Sequence, residues 1–309
     1  MNKGRWLSML PTVCALVLRV GGEAAAQQGA RSSKADTVVL RGSLDSLAQG
    51  FRGVLGYTVH NLDSGERLER RGDETFPTAS LIKVSVLVTL FDMVEKGEIS
   101  LDDRITMLKV DKVPGSGTLQ FMHDGLELTV RDAAWLMITI SDNTATNLLL
   151  DKVAIRRTWQ KMEALGLPHT KIHAKSFLRS TSVALDSSVK YGLGVTTPNE
   201  MARLFALLAD GKAVSPRADS VMLDILAHTE DDKLLQRHVE GVTASHKTGA
   251  NSDMRTECAL FRLQTRVVAC VLTKENVDQR WALDSEPQLT MAAMGKAITS
   301  AWPKKTAVR

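Results

Sequence analysis

The sequence predicts a mixed α/β chain of the α+β kind: an antiparallel sheet lobe flanked by N- and C-terminal helices, with an all-helical lobe inserted into it. Two observations carry this. Runs rich in β-branched and apolar residues lie at 54–70 and again at 244–273, whereas the middle, about 81–227, shows helical spacing and helix-start signals. At 309 residues the chain is long enough for one two-lobed unit with a substantial core.

The elements come in this order. Residues 1–26 carry Lys3 and Arg5, an apolar stretch over 7–18 and Ala24-Ala25-Ala26, the pattern of a secretory signal peptide cut after Ala26. A secreted or periplasmic protein is therefore expected. The apolar stretch is shorter than the roughly 20 residues that span a bilayer, so no stable membrane span is expected. Residues 27–35 read as a flexible polar leader and 36–309 as the catalytic domain, its sheet lobe at about 36–80 and 228–302 and its helical lobe at about 81–227. A helix over 37–49 precedes paired strands at 54–62 and 65–70. The segment 81–94 is apolar nearly all round and reads as a buried helix, with Pro77-Thr78 before it, Gly97 after it and Ser80 in its first turn. Helical patterns recur at 130–140, 147–153, 158–165 and 199–209, the last opened by Pro198. A strand at 244–251, a hairpin at 258–263 and 266–273, and a helix at 287–301 complete the order. Cys258 and Cys270 lie on the two hairpin strands. They are read as two buried thiols rather than a bridge, since the turn register that would oppose them is not fixed by the sequence.

Three motifs in order carry the chemistry: Ser80-Leu81-Ile82-Lys83, Ser141-Asp142-Asn143 and Lys247-Thr248-Gly249. A serine hydroxyl is a poor nucleophile unless a neighbouring group takes its proton, and residues three apart on a helix are neighbours on one face. Lys83 is therefore expected beside Ser80. Burial and a nearby cation such as Lys247 would push its amine toward the range of a general base. Ser141 to Asn143 sit at a short turn between helices, where they serve as a cap or supply a second hydroxyl and an amide to the site. Lys247 and Thr248 offer donors to a substrate carboxylate, and Gly249 is expected to let a substrate backbone approach.

This ordered set resembles the class A β-lactamase family within the serine penicillin-recognising enzymes, over roughly residues 53–302, with the segment Thr196-Thr197-Pro198 as further support. The resemblance implies a β-lactamase/transpeptidase-like fold with the site in the cleft between the lobes. It also implies that Ser80 is the nucleophile, Lys83 its proton acceptor and Ser141 the relay to the leaving nitrogen. Asn143 would contact the substrate amide, and Lys247, Thr248 and Gly249 the carboxylate end. The backbone N–H groups of Ser80 and Ala250 would form the oxyanion hole, with Arg255 as an extra carboxylate anchor. No cofactor and no metal are implied.

One familial feature is missing. The glutamate that hydrolyses the acyl-enzyme in that family should fall near residues 175–181, but the interval 166–198 contains no glutamate and one carboxylate, Asp186. Three routes stay open: Asp186 reaches in from a rearranged loop, Lys83 serves both steps, or the acyl-enzyme is long-lived. The expectation is a secreted serine hydrolase opening the β-lactam amide through a Ser80 acyl-enzyme. The alternatives are a D,D-peptidase or esterase-like penicillin-binding enzyme acting on D-Ala-D-Ala-type peptides, and an acylated sensor that never turns over.

The remaining composition narrows the partners. Removing Lys3, Arg5, Arg19 and Glu23 with the leader lowers the formal charge from +4 to about +2, and aromatics make up 5% of the chain, so nucleic acid has no basic, aromatic footprint to bind. A monomer acting on a small molecule is expected. His169 and His173, four apart, lack a third ligand and a zinc motif.

Overall fold

A computed structural model describes Met1 and residues 37–302. The signal peptide and leader expected at 1–35 therefore lie, Met1 apart, outside the described residues. From Leu40 onward the described residues form one compact unit.

Its frame is an antiparallel sheet of five strands: β1 (Val54–Asn61), β2 (Arg67–Arg70), β8 (Thr243–Asn251), β9 (Met254–Arg262) and β10 (Arg266–Lys274). They lie in the order β2-β1-β10-β9-β8. Both faces are covered, which explains why β9 and β10 read as continuous apolar runs rather than alternating ones. Val267, Ala269 and Val271 face one core with Leu40 and Leu44 of α1 (residues 37–50) and Met291, Met294 and Ile298 of α9 (Glu286–Ala301). Val268, Cys270 and Leu272 face the other core, built from the helical middle.

That middle holds α2 (Lys83–Glu95), α3 (Val130–Thr139), α4 (Asn143–Val153), α5 (Ile155–Ala164), α6 (Leu185–Tyr191), α7 (Pro198–Ala209) and α8 (Pro216–Ala227). It also holds short strands that the sequence reading leaves unresolved. These are β4 (Arg104–Met107) paired with β5 (Leu126–Thr129), and a ribbon of β3 (Phe76–Pro77), β7 (Gly194–Thr196) and β6 (Lys171–Ile172), in that spatial order. The helix α2 is buried nearly throughout, as its all-round apolarity demands.

The cysteines correct the expectation of free thiols. Cys258 and Cys270 are bonded to each other. The loop between β9 and β10 is three residues long and puts Cys258 directly opposite Cys270, a register that the sequence pattern alone does not specify.

Candidate active site

Ser80 lies one step earlier than the sequence predicts. Ala79–Ile82 form a 3₁₀ turn, and α2 proper begins at Lys83. Short 3₁₀ turns often open α-helices, and this one carries Ser80 half-exposed at the floor of a cleft while Lys83 points into the protein. Gly249 on β8 fixes this turn against the sheet. A Cβ there would stand 2.2 Å from Thr78 O and 2.8 Å from Leu81 N, so the strand and the turn touch backbone to backbone. The glycine was expected to admit a substrate backbone; in the structure the main chain of the Ala79–Ile82 turn also approaches it closely.

Lys83 is wholly buried and donates to Ser141 O at 2.7 Å, Ser141 Oγ at 3.2 Å and Asn143 Oδ1 at 2.9 Å. Desolvation, then the charge of Lys247, holds its amine well below the ordinary lysine range, against an opposing pull from Asp142. The expected bond from Ser80 to Lys83 is not formed: among the described residues Ser80 Oγ has no hydrogen-bond partner. Lys247, also buried, donates to Ser141 Oγ at 3.2 Å and to Thr248 O at 3.0 Å. Burial lowers its pKa to about 8, with Asp231 and Glu257 resisting. The Ser141 hydroxyl thus lies between two buried amines. Its backbone has φ of 57°, a strained setting for a serine of the kind that marks functional turns.

The middle residue of the second motif has a different task. Asp142 caps α4 by accepting from Ala145 N–H at 2.9 Å, and its other oxygen accepts from Thr118 and Leu119 N–H at 2.7 and 2.9 Å. It ties the 114–119 loop to the site. Asn143 Nδ2 donates to Pro114 O at 3.1 Å, and Asn143 and Gly115 both line the cleft.

The cleft has a volume of about 990 Å³. Ser80, Asn143 and Ala250 line it, and its outer wall is the segment 174–193, with Ser176, Phe177, Val189 and Lys190. Hydrogen bonds from His173 N–H to Leu193 O and from Val183 N–H to His173 O close that segment at its base. Asp253 is the one carboxylate among the described residues that line the cleft. Asp186 is exposed on the first turn of α6 and does not line it.

Two predicted anchors are engaged within the protein. Thr248 Oγ1 donates to Asp231 Oδ2 at 2.9 Å. Arg255 is buried at the turn between β8 and β9, donates to the carbonyls of Asn251, Met254 and Arg280, and lies 4.4 Å from the Trp281 ring centre. These contacts tie it to the Trp281 side of the cleft, which Trp281 itself lines. His169 and His173 also find separate partners, Glu200 and Gly192 O.

Sequence reasoning missed Asp231 and Asn147. Asn147 stands one helical turn after Asn143 on α4 and holds the outer wall: its Oδ1 accepts from Ser176 N–H at 2.7 Å and its Nδ2 donates to Ser176 O at 3.0 Å. A buried asparagine four residues beyond the second motif was the available signal.

With this geometry the chain is similar to a crystal structure of β-lactamase from Sphaerobacter thermophilus, at 29% identity and a TM-score of 0.75 over 85% of this chain and 96% of that one. It is similar to a PBP-A variant solved as its acyl-enzyme complex with penicillin G, at 28% identity and a TM-score of 0.75 over 86% and 96%. In sequence it is 34% identical to Beta-lactamase L2 of Stenotrophomonas maltophilia over 108 residues, so the match spans only 35% of each chain. The model of one family, described as the Beta-lactamase enzyme family, matches residues 40–302, and the chain belongs to that family.

Proposed function

We propose that the protein is a secreted, monomeric serine hydrolase that opens the β-lactam amide through an acyl-enzyme on Ser80. The observation that carries this reading is the pair of buried amines, Lys83 and Lys247, that flank the partly exposed Ser141, whose hydroxyl lies 3.2 Å from both, with Ser80 on the adjoining turn. Lys83, whose amine is pushed toward the neutral form by burial and by the charge of Lys247, takes the Ser80 proton as Oγ attacks the carbonyl carbon. The missing Ser80–Lys83 bond is compatible with this, since such bonds commonly tighten only in the substrate complex. The N–H groups of Ser80 and Ala250 receive the oxyanion. Ser141 hands the proton to the departing nitrogen and is recharged from the lysines on either side. Lys247 meets the substrate carboxylate, and Thr248 turns from Asp231 to join it.

A second reading, a D,D-peptidase-like penicillin-binding enzyme with a slow second step, is favoured by the scarcity of carboxylates in the cleft and by the likeness to PBP-A. Intact-mass analysis of the protein with penicillin G and with a chromogenic cephalosporin separates the two. Rapid colour with a transient adduct supports the hydrolase, and a lasting adduct on Ser80 supports the penicillin-binding enzyme. Absence of any adduct refutes both.

A further inference from the structure

One polar group on the cleft wall has no assigned work. Ser176 lines the cleft with Ser80 and is 4% exposed, yet its hydroxyl has no hydrogen-bond partner. Buried hydroxyls are almost always paired, and an exception inside a reaction cleft points to a ligand. The placement of Ser176 is closely held. Asn147 grips both its N–H and its carbonyl, and Asn143, one turn earlier on the same helix, accepts from Lys83. On the other side Lys175 N–H donates to Thr181 Oγ1 at 2.9 Å, and Lys175 bridges to Leu178. One helix thus positions both the amine and the Ser176 backbone. No hydrogen bond holds the hydroxyl in place, so no partner is lost when it turns between staggered χ1 settings.

We propose that Ser176 is a positioning residue for the second half of the reaction: its hydroxyl holds the water that hydrolyses the Ser80 acyl-enzyme. This role rests on the acyl-enzyme reading of Ser80. In this step the water oxygen bonds to the acyl carbon and its proton passes to the Lys83 amine in its unprotonated form. The bond from the acyl carbon to Ser80 Oγ then breaks, and Lys83 returns the proton to Ser80, leaving free serine and a carboxylic acid. Ser176 exchanges no proton. It accepts one hydrogen bond from the water and so aims an oxygen lone pair at the ester, a task for which a cleft wall without glutamate otherwise offers little.

The test uses the full chain with penicillin G, measuring adduct formation and adduct decay separately by rapid-quench intact mass. Ser176→Ala is expected to form the adduct within about twofold of the parent rate and to lose it about tenfold more slowly, the loss of one positioning hydrogen bond. Ser176→Thr, which restores a hydroxyl, should recover most of the decay rate. Equal decay in the parent and in Ser176→Ala overturns the inference, as does a parent adduct that never decays; in both cases the Ser80 reading stands. Loss of formation and decay together in Ser176→Ala also overturns it, because a merely structural role would slow both. No adduct in the parent chain overturns the Ser80 reading itself.

Discussion

The two sides of the cleft are built on opposite terms. The inner side, from the Ala79–Ile82 turn to β8, holds two buried amines, Lys83 and Lys247, aimed at near neighbours, and its turn is locked against Gly249. The outer side, 174–193, is held mainly by its main chain and presents large exposed apolar groups, Phe177 and Val189, beside Lys190. In the proposed acylation, every group that moves a proton comes from the inner side. Hydrolysis needs one placed water and a base, and the outer side brings no carboxylate of its own to the cleft. The difference teaches that one wall of a cleft can fix its amines in place by burial while the facing wall brings no carboxylate to it.

The comparison breaks most decisively at the nucleophile. Ser80→Ala should reduce turnover by roughly three orders of magnitude or more and abolish the adduct in intact-mass spectra; an adduct that persists would place the chemistry elsewhere. Lys83→Met should slow adduct formation by roughly 10²- to 10⁴-fold. In the parent, formation should weaken as pH falls through the lowered pKa of Lys83, because a protonated amine accepts nothing.

Lys247→Met should raise the KM for a carboxylate-bearing substrate roughly 10- to 100-fold. Its pKa of about 8, against an unfolded value near 10.5, adds a stability signature. Between those two pH values the unfolded chain holds a proton that the folded chain has released, so stability rises with pH across that window. Thermal melts of Lys247→Met from about pH 7 to 10.5 should lose that rise.

The outer side is probed more gently. Asn147→Ala leaves the Ser176 N–H and carbonyl unpaired and should cost about 1–3 kcal/mol of stability in denaturant melts, with faster hydrogen exchange confined to 174–184. Asp186→Ala should leave turnover within about twofold, as expected for a surface change remote from a site. A clear loss of turnover would bring Asp186 to the cleft after all and erase the contrast between the two sides.

The inner side was the legible one. Its residues fall in contiguous motifs, so Ser80 with Lys83, Ser141 with Asn143, and Lys247 with Thr248 are each readable from local spacing, and the buried α2 follows from apolarity alone. What stayed hidden depends on pairings distant in sequence. Asn147 meets Ser176 across 29 residues and Thr248 meets Asp231 across 17, and no period or composition marks such partners. The carbonyl partners of Arg255 were likewise not legible, because an arginine after the third motif carries no mark in the sequence of the loop and chain segments it meets. The disulfide and the 3₁₀ setting of Ser80 were lost for a third reason: each turns on a register of one residue, finer than a hydrophobic pattern resolves.

The main-chain contact at Gly249 sets a ruler. Because the Ala79–Ile82 turn and β8 meet backbone to backbone, with the Thr256 hydroxyl bridging Thr78 O and Gly249 O, the span from Ser80 to Lys247 is set chiefly by the widths of two backbones. Substitutions on the outer wall can then reshape the cleft while leaving that span unchanged.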